Sequence, residues 1–249
     1  MKKIILLFAM TITAMCTYGQ VKPHSFYVIP QVGVSLSKQT GFAAYAAESA
    51  NSGNSFGLVD YQPKARYKAG FTAGLEVVYQ TTTTLAVSLG AFYTQAGSQY
   101  KEFEAVSSSS QQTEETNAAK GWRGHVFTNQ QNTFDYVTIP VMAHYSVGKG
   151  FSVKAGVELG FLISAKKEWD QTAFTVNEET NITTYDKPSS YEVELKSDAK
   201  GFILSIPVGV SYEYERVVLD ARYHFPLNKA MRFTDTRNRL FTFTVGYRF

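Results

Sequence analysis

The chain has 249 residues, 44% hydrophobic, 14% aromatic and 18% charged, with 16 Tyr and 18 Phe against 2 Trp, a balance that favours β structure over a helical bundle. Its formal charge of +3 falls to +1 once Lys2 and Lys3 are set aside, and no run of Lys and Arg interleaves with aromatics, so no nucleic-acid partner is expected. After the first segment no stretch offers about 18 consecutive apolar residues, which excludes a helical membrane protein.

The chain opens on Met1-Lys2-Lys3 followed by an apolar run from Ile4 to about Met15, the build of a secretory signal. Cleavage is expected near Gly19-Gln20, dividing the chain into a signal peptide (1–19) and a barrel domain (20–249). Met15 before Cys16 speaks against lipidation of that cysteine, since a small residue is usual there. Cleavage beyond Cys16 leaves no cysteine and no disulfide framework.

Eight segments then alternate apolar and polar residues at the period of a β-strand: 24–36, 68–79, 84–97, 133–147, 151–164, 200–214, 216–227 and 241–249. In the second, Ala69, Phe71, Ala73, Leu75, Val77 and Tyr79 oppose Gly70, Thr72, Gly74 and Glu76. In the last, Phe241, Phe243, Val245, Tyr247 and Phe249 oppose Thr242, Thr244, Gly246 and Arg248. A soluble sandwich alternates too, but here the links alternate long (37–67), short (80–83), long (98–132), short (148–150), long (165–199), minimal (Glu215) and medium (228–239). All long links therefore fall at one end.

The pattern predicts an all-β fold, an eight-stranded antiparallel up-and-down transmembrane β-barrel with long external loops and short periplasmic turns. Tyr79, Tyr93, Tyr100, Tyr136, Tyr145, Tyr212, Tyr214 and Tyr223 are expected in the interfacial girdles. Pro140 and Pro207 fall inside strands, where each removes a ladder donor, and predict local bulges.

Three segments carry a family resemblance: Tyr136-Val137-Thr138-Ile139-Pro140-Val141, its echo from Phe202 to Gly209, and Leu219-Asp220-Ala221-Arg222-Tyr223. In these the chain resembles the porin-family, PorT-like outer-membrane β-barrel proteins of Bacteroidetes type. The resemblance implies residence in the bacterial outer membrane of the cell envelope, after export through a cleaved signal peptide. The ending Tyr247-Arg248-Phe249 resembles the C-terminal aromatic signal read by outer-membrane assembly machinery, which makes that machinery and outer-membrane lipid the implied partners.

An eight-stranded barrel is just wide enough to be filled by side chains. The inward set includes Glu76, Lys154, Glu158, Glu213, Arg216, Asp220, Arg222 and Arg248, mixed in sign and suited to a lumen charge network. Lys154 and Glu158 lie about 13 Å apart on one strand, so each must pair with another strand. The histidines His24, His125, His144 and His224 form no Ser/His/acid trio by spacing, so catalysis is not expected. No metal-ligand spacing occurs, and neither a metal nor a cofactor is expected; Glu114-Glu115 and Glu178-Glu179 read as solvated pairs.

The polar run 107–116 reads as a low-complexity external segment. Trp122, Arg123, Lys166, Lys167 and Trp169 pair tryptophans with cations in the long links and are the candidate interaction residues there, whether for lipid headgroups or for a protein partner. The resulting expectation is a non-enzymatic outer-membrane barrel with a structural or surface-interaction role. The alternatives are an accessory component of a secretion or envelope-assembly machine, then a narrow pore or a lipid-modifying enzyme.

Overall fold

The computed structural model describes residues 22–40, 64–107, 121–177, 180–232 and 235–249. Their strands are β1 (Ser25–Thr40), β2 (Ala65–Arg66), β3 (Lys68–Gln80), β4 (Leu85–Tyr100), β5 (Phe103–Ser107), β6 (Gly121–Gly148), β7 (Phe151–Asn177), β8 (Ile182–Tyr185), β9 (Ser189–Glu194), β10 (Phe202–Tyr214), β11 (Val217–Pro226) and β12 (Arg237–Tyr247). Eight of them form a closed antiparallel ring, β1-β3-β4-β6-β7-β10-β11-β12, and β12 returns to β1 from Gln31↔Gly246 to Thr40↔Arg237. Closure leaves the ring without a free edge, which is what a sheet in hydrocarbon requires.

Alternation decides which face looks where. On β1 the outward positions Phe26, Val28, Val32, Val34 and Leu36 are exposed, while Ile29, Gln31, Ser35, Ser37 and Gln39 are buried in the lumen. The same holds on β7, where Val153, Val157, Leu159, Phe161 and Ile163 are exposed and Lys154 and Glu158 are buried. The outside of the ring is thus a continuous apolar wall, far beyond the few hundred Å² that a monomer in water exposes. From Phe26 to Leu36 the wall spans ten residue steps, which at about 3.3 Å each and a tilt of roughly 40° gives about 25 Å, the height of an outer-membrane hydrophobic band.

The short turns lie together at one end. Between β3 and β4 the Thr82 hydroxyl accepts hydrogen bonds from the backbone N–H groups of Thr84 and Leu85, at 3.2 and 3.0 Å. Between β6 and β7 three successive residues, Gly148, Lys149 and Gly150, have positive φ (98°, 53° and 78°), and Glu215 (57°) does the same between β10 and β11.

The long links do not remain loops. β6 and β7 run to 28 and 27 residues, against the 9–11 or so that cross a bilayer, so their distal halves stand beyond the membrane as an extended hairpin. β5 adds to β6 there, and β8 and β9 add to β7. Other parts of the links fold over the barrel mouth, where Leu195, Ala199 and Met231 pack on Phe134, Tyr136 and Leu240.

Two expectations are corrected. Pro140 and Pro207 cause no bulge: the β4–β6 register is the same on both sides of Pro140 (Leu89↔Val141, Phe92↔Thr138), and the β7–β10 register on both sides of Pro207 (Ser205↔Glu158, Val208↔Ala155). Each proline keeps its pairing to one neighbour, with Glu158 and His224 respectively, and opens the ladder only on the other side. Tyr100 and Tyr136 are not girdle residues but are buried inside the barrel. The register shift between Asp135 and Tyr136 explains the altered inward series on β7, placing Ala165 inside where strict alternation from Ile163 puts an outward residue. The expected signal peptide, Cys16, Glu114-Glu115, Glu178-Glu179 and nearly all of the low-complexity run lie outside the described residues.

The turn geometry gives a test. A Cβ at Gly150 would lie 2.2 Å from the Glu213 carbonyl oxygen, whereas one at Gly148 meets nothing within 4 Å, although both have positive φ. Gly150→Ala is expected to lower unfolding stability by about 2 kcal/mol or more, and Gly148→Ala by about 1, read as urea midpoints of the folded protein in lipid vesicles.

Candidate functional site

The barrel lumen is filled in layers, beginning with a buried charge network at mid-height. Arg222 on β11 donates from Nη2 to Glu76 Oε2 at 2.8 Å and from Nε to Asp220 Oδ1 at 2.6 Å. Lys154 on β7 reaches across to Asp220 at 2.5 Å and lies 3.8 Å from Glu76. Two carboxylates thus face two basic side chains, which a lumen without bulk water demands. Glu76 also accepts from the Gln31 amide at 2.6 Å and the Ser88 hydroxyl at 2.7 Å, and Thr244 donates to the Gln31 carbonyl oxygen at 2.7 Å. His144 Nε2 completes the group, 2.8 Å from Ser88 and 3.5 Å from Glu76.

A second cluster centres on Glu158, which accepts from the Ser205 hydroxyl at 2.9 Å and sits 2.8 Å from His224 Nδ1. The other imidazole nitrogen lies 3.0 Å from the Thr242 hydroxyl. Further toward the external end, Gln39, Tyr100, Asn132 and Asn238 form an amide and phenol layer, with Tyr100 and Asn132 both donating to Gln39 Oε1 at 2.9 and 3.1 Å. Between that layer and the Glu158 cluster lies a cavity of about 30 Å³, lined in part by Thr94, Tyr136, Thr138, Glu158 and His224, with room for about two water molecules.

Inward glycines make this filling possible. A Cβ on Gly209 would come within 2.9 Å of Arg222 Cγ, one on Gly246 within 2.8 Å of Gln31 Cγ, and one on Gly74 within 2.6 Å of the Phe92 ring. Phe92 in turn lies under the Arg222 guanidinium, 5.6 Å from ring centroid to Cζ.

Of the residues expected in the lumen network, Glu76, Lys154, Asp220 and Arg222 converge, and Glu158 forms its own cluster with His224. Glu213 and Arg248 pair with each other at 2.9 Å near the turn end, partly exposed. Arg216 is an exposed turn residue and belongs to neither group. His144 and His224 are members that spacing did not reveal, because their partners come from strands remote in sequence; the inward parity of both was the available signal.

The structure does bring Ser, His and acid side chains together, which sequence spacing did not foresee. In one trio a single nitrogen of His144 faces both Ser88 and Glu76, so the acid does not orient the base from its far side as a nucleophile relay needs. The order Thr242-His224-Glu158 has relay geometry, but all three side chains are buried beside a cavity that admits only water.

The candidate external residues lie on strands rather than loops. Lys166 pairs with Glu192 at 2.6 Å. Trp169 stacks on Tyr191 with ring centroids 5.5 Å apart, and Lys167 sits over the indole at 5.3 Å. Trp122 and Arg123 oppose Val176 and Thr175, about 20 Å further along the hairpin, so the two tryptophans do not form one site. Beside Trp169 the ladder shifts register between Thr128 and Gln131, and Asn129 there (φ 51°) donates to Asp170 at 2.7 Å. Hydrogen bonds from Asn129 and Ser190 hold the Asp170 carboxyl below its ordinary range. That tie is present above the usual carboxylate pKa and is lost as pH falls through the lowered one.

A closed antiparallel ring with an apolar exterior, a polar packed interior, short turns at one end and long extensions at the other defines an integral outer-membrane β-barrel. The chain belongs to the family described as outer membrane protein beta-barrel domain, whose model matches residues 23–232. The protein is accordingly one of the bacterial outer membrane. Among solved structures it is similar to Ail, the attachment invasion locus protein of Yersinia pestis, at 14% identity and a TM-score of 0.40, covering 90% of this chain and 98% of that one. It is also similar to Neisserial surface protein A, at 12% identity and 0.40 (90% and 97% covered), and to OprG of Pseudomonas aeruginosa, at 10% and 0.33 (91% and 97%). No curated protein sequence matches.

The network predicts an uneven response to charge removal. Arg222→Met leaves Glu76 and Asp220 sharing Lys154 alone and is expected to cost about 3–5 kcal/mol in urea unfolding from vesicles. Restoring neutrality with Glu76→Gln in the same chain should recover part of that loss, whereas Glu213→Gln, in the partly exposed pair, should cost under about 1 kcal/mol.

Proposed function

We propose that this protein is a non-enzymatic outer-membrane barrel that presents a surface for interaction outside the cell. The observation that carries the reading is the division of labour along β6 and β7: one half of each closes a barrel whose lumen is filled by paired side chains, and the other half stands clear of the membrane with β5, β8 and β9 attached. A filled lumen argues against solute flow, and buried Ser, Thr and His side chains argue against lipid chemistry at the rim. What remains to be recognised is the external sheet, with Trp169, Tyr191, Lys167 and Lys166 on it.

On this reading the chain is exported through a signal peptide cleaved near Gly19 and inserted by the assembly machinery, which reads Tyr247 and Phe249. Both rings lie exposed at the end of the closing strand, 4.9 Å apart, a position open to such a reader. The PorT-like kinship to Bacteroidetes proteins belongs to the same proposal, as does an external or secretion-machine protein as the partner. An accessory role in secretion uses the same sheet and would show as loss of a secreted cargo from a deletion strain.

A peptide tag inserted between Asp186 and Pro188, in the connection between β8 and β9, is expected to be accessible to antibody on intact cells. A tag reached only after lysis would sink the external placement. In planar bilayers the folded protein is expected to give no single-channel steps, and steady conductance would restore the pore reading.

A further inference from the structure

The apolar wall ends on its external side in an arrangement that lacks an internal explanation. On β1 the outward series passes from Val34 and Leu36 directly to Lys38, and on β12 from Val245, Phe243 and Phe241 directly to Arg239 and Arg237. Lys38 and Arg239 are directly opposite partners in the β1–β12 ladder, so two cations project from the same face with Cβ atoms about 5 Å apart. Arg237, opposite Thr40, extends the group one outward position further. Like charges placed so are destabilising on their own.

Among the described residues none of the three cations has a carboxylate partner within salt-bridge distance. Asp235, two residues before Arg237, is paired with Lys229 and also feels the Arg237 charge from beyond salt-bridge distance, so Lys38 and Arg239 are the two cations that no carboxylate offsets among the described residues. Below the cations lies an aromatic floor: Lys38 Nζ sits 5.8 Å from the Tyr67 ring centroid, Tyr67 meets Phe241 at 6.4 Å, and Phe241 meets Tyr223 at 4.5 Å. The cluster therefore stands at the upper limit of the hydrophobic band, at the level of lipid headgroups, and faces the membrane rather than the lumen.

We propose that Lys38, Arg239 and Arg237 form a binding site for the phosphate group of an outer-leaflet lipid. The acyl chains of that lipid lie on the wall below Phe241 and Leu36, and its phosphate sits over the facing Lys38 and Arg239, converting their repulsion into shared attraction. Arginine offers the forked donors that suit phosphate oxygens, and lysine adds a point charge. The site rests on the external orientation of the long-link end; barrel formation itself is read independently from heat-modifiable gel mobility.

The test uses the full mature chain folded in neutral detergent, with the temperature of conversion from the folded to the unfolded gel band as readout. Purified bisphosphorylated lipid A is expected to raise that temperature in the wild type, with half-saturation weakened roughly tenfold for each cation removed in Lys38→Gln, Arg239→Gln and the double variant. Without lipid, the double variant should be no less stable than the wild type, because a repulsive pair has gone. Dephosphorylated lipid A should give a much smaller shift. An equal response of wild type and double variant, or of phosphorylated and dephosphorylated lipid, overturns the site. An equal shift with inorganic phosphate at the same concentration overturns the lipid assignment in favour of a free anion. Failure of the band to be heat-modifiable at all would instead remove the barrel reading beneath both.

Discussion

Burial of Glu76 inside a ring of strands sets the terms for the rest of the structure. An isolated carboxylate there is untenable, so its surroundings must supply charge and donors from several directions at once. Arg222, Lys154, Gln31, Ser88 and His144 do so, and with Asp220 and Thr244 the group draws on β1, β3, β4, β6, β7, β11 and β12. Ser205 on β10 joins through Glu158, so every ring strand contributes to one of the two clusters. The apolar wall makes the chain a membrane protein, but the network specifies how its eight strands sit in register.

Much of the ring was legible because a barrel wall writes its two solvents into consecutive residues. Phe241, Phe243 and Val245 against Thr242 and Thr244 leave no other period, and the short links place the turns. What was not legible follows from distance along the chain. That Arg222 meets Glu76, or that Ser205 meets Glu158, depends on the shear of the ring, which no local pattern encodes. Tyr100 and Tyr136 were misplaced because a tyrosine near a strand end suits either an interface or a polar lumen, and only the partners Gln39 and Asn238 decide. Pro140 and Pro207 leave no bulge because a proline in a closed ring forfeits a donor on one side only, and the strands tolerate one open rung without shifting register.

The external extension shows the same limit from the other side. Residues 121–132 and 165–177 lack the clean alternation of the wall because neither face contacts lipid, so the pattern that announces a membrane strand falls silent where the strand continues into water. The hairpin persists because backbone pairing, reinforced by the Phe103–Phe127 and Trp169–Tyr191 stacks, does not need an apolar face. Trp122 and Trp169, similar as words in a sequence, thereby fall on different storeys of one sheet.

The ion pair between Arg222 and Glu76 joins residues 146 positions apart in the chain. A barrel threading into the bilayer one hairpin at a time would carry Glu76 into hydrocarbon before any cation from β11 existed to meet it. That route would cost the carboxylate either its hydration or, if it took up a proton, its ion pairs until the late strands arrived. That cost favours a path in which the early strands stay in a wet or sheltered place until the last ones arrive, and the wall enters the membrane as a nearly finished cylinder. Placement of one acid on the third strand thus turns a local matter of charge into a rule about the order in which the whole wall is delivered.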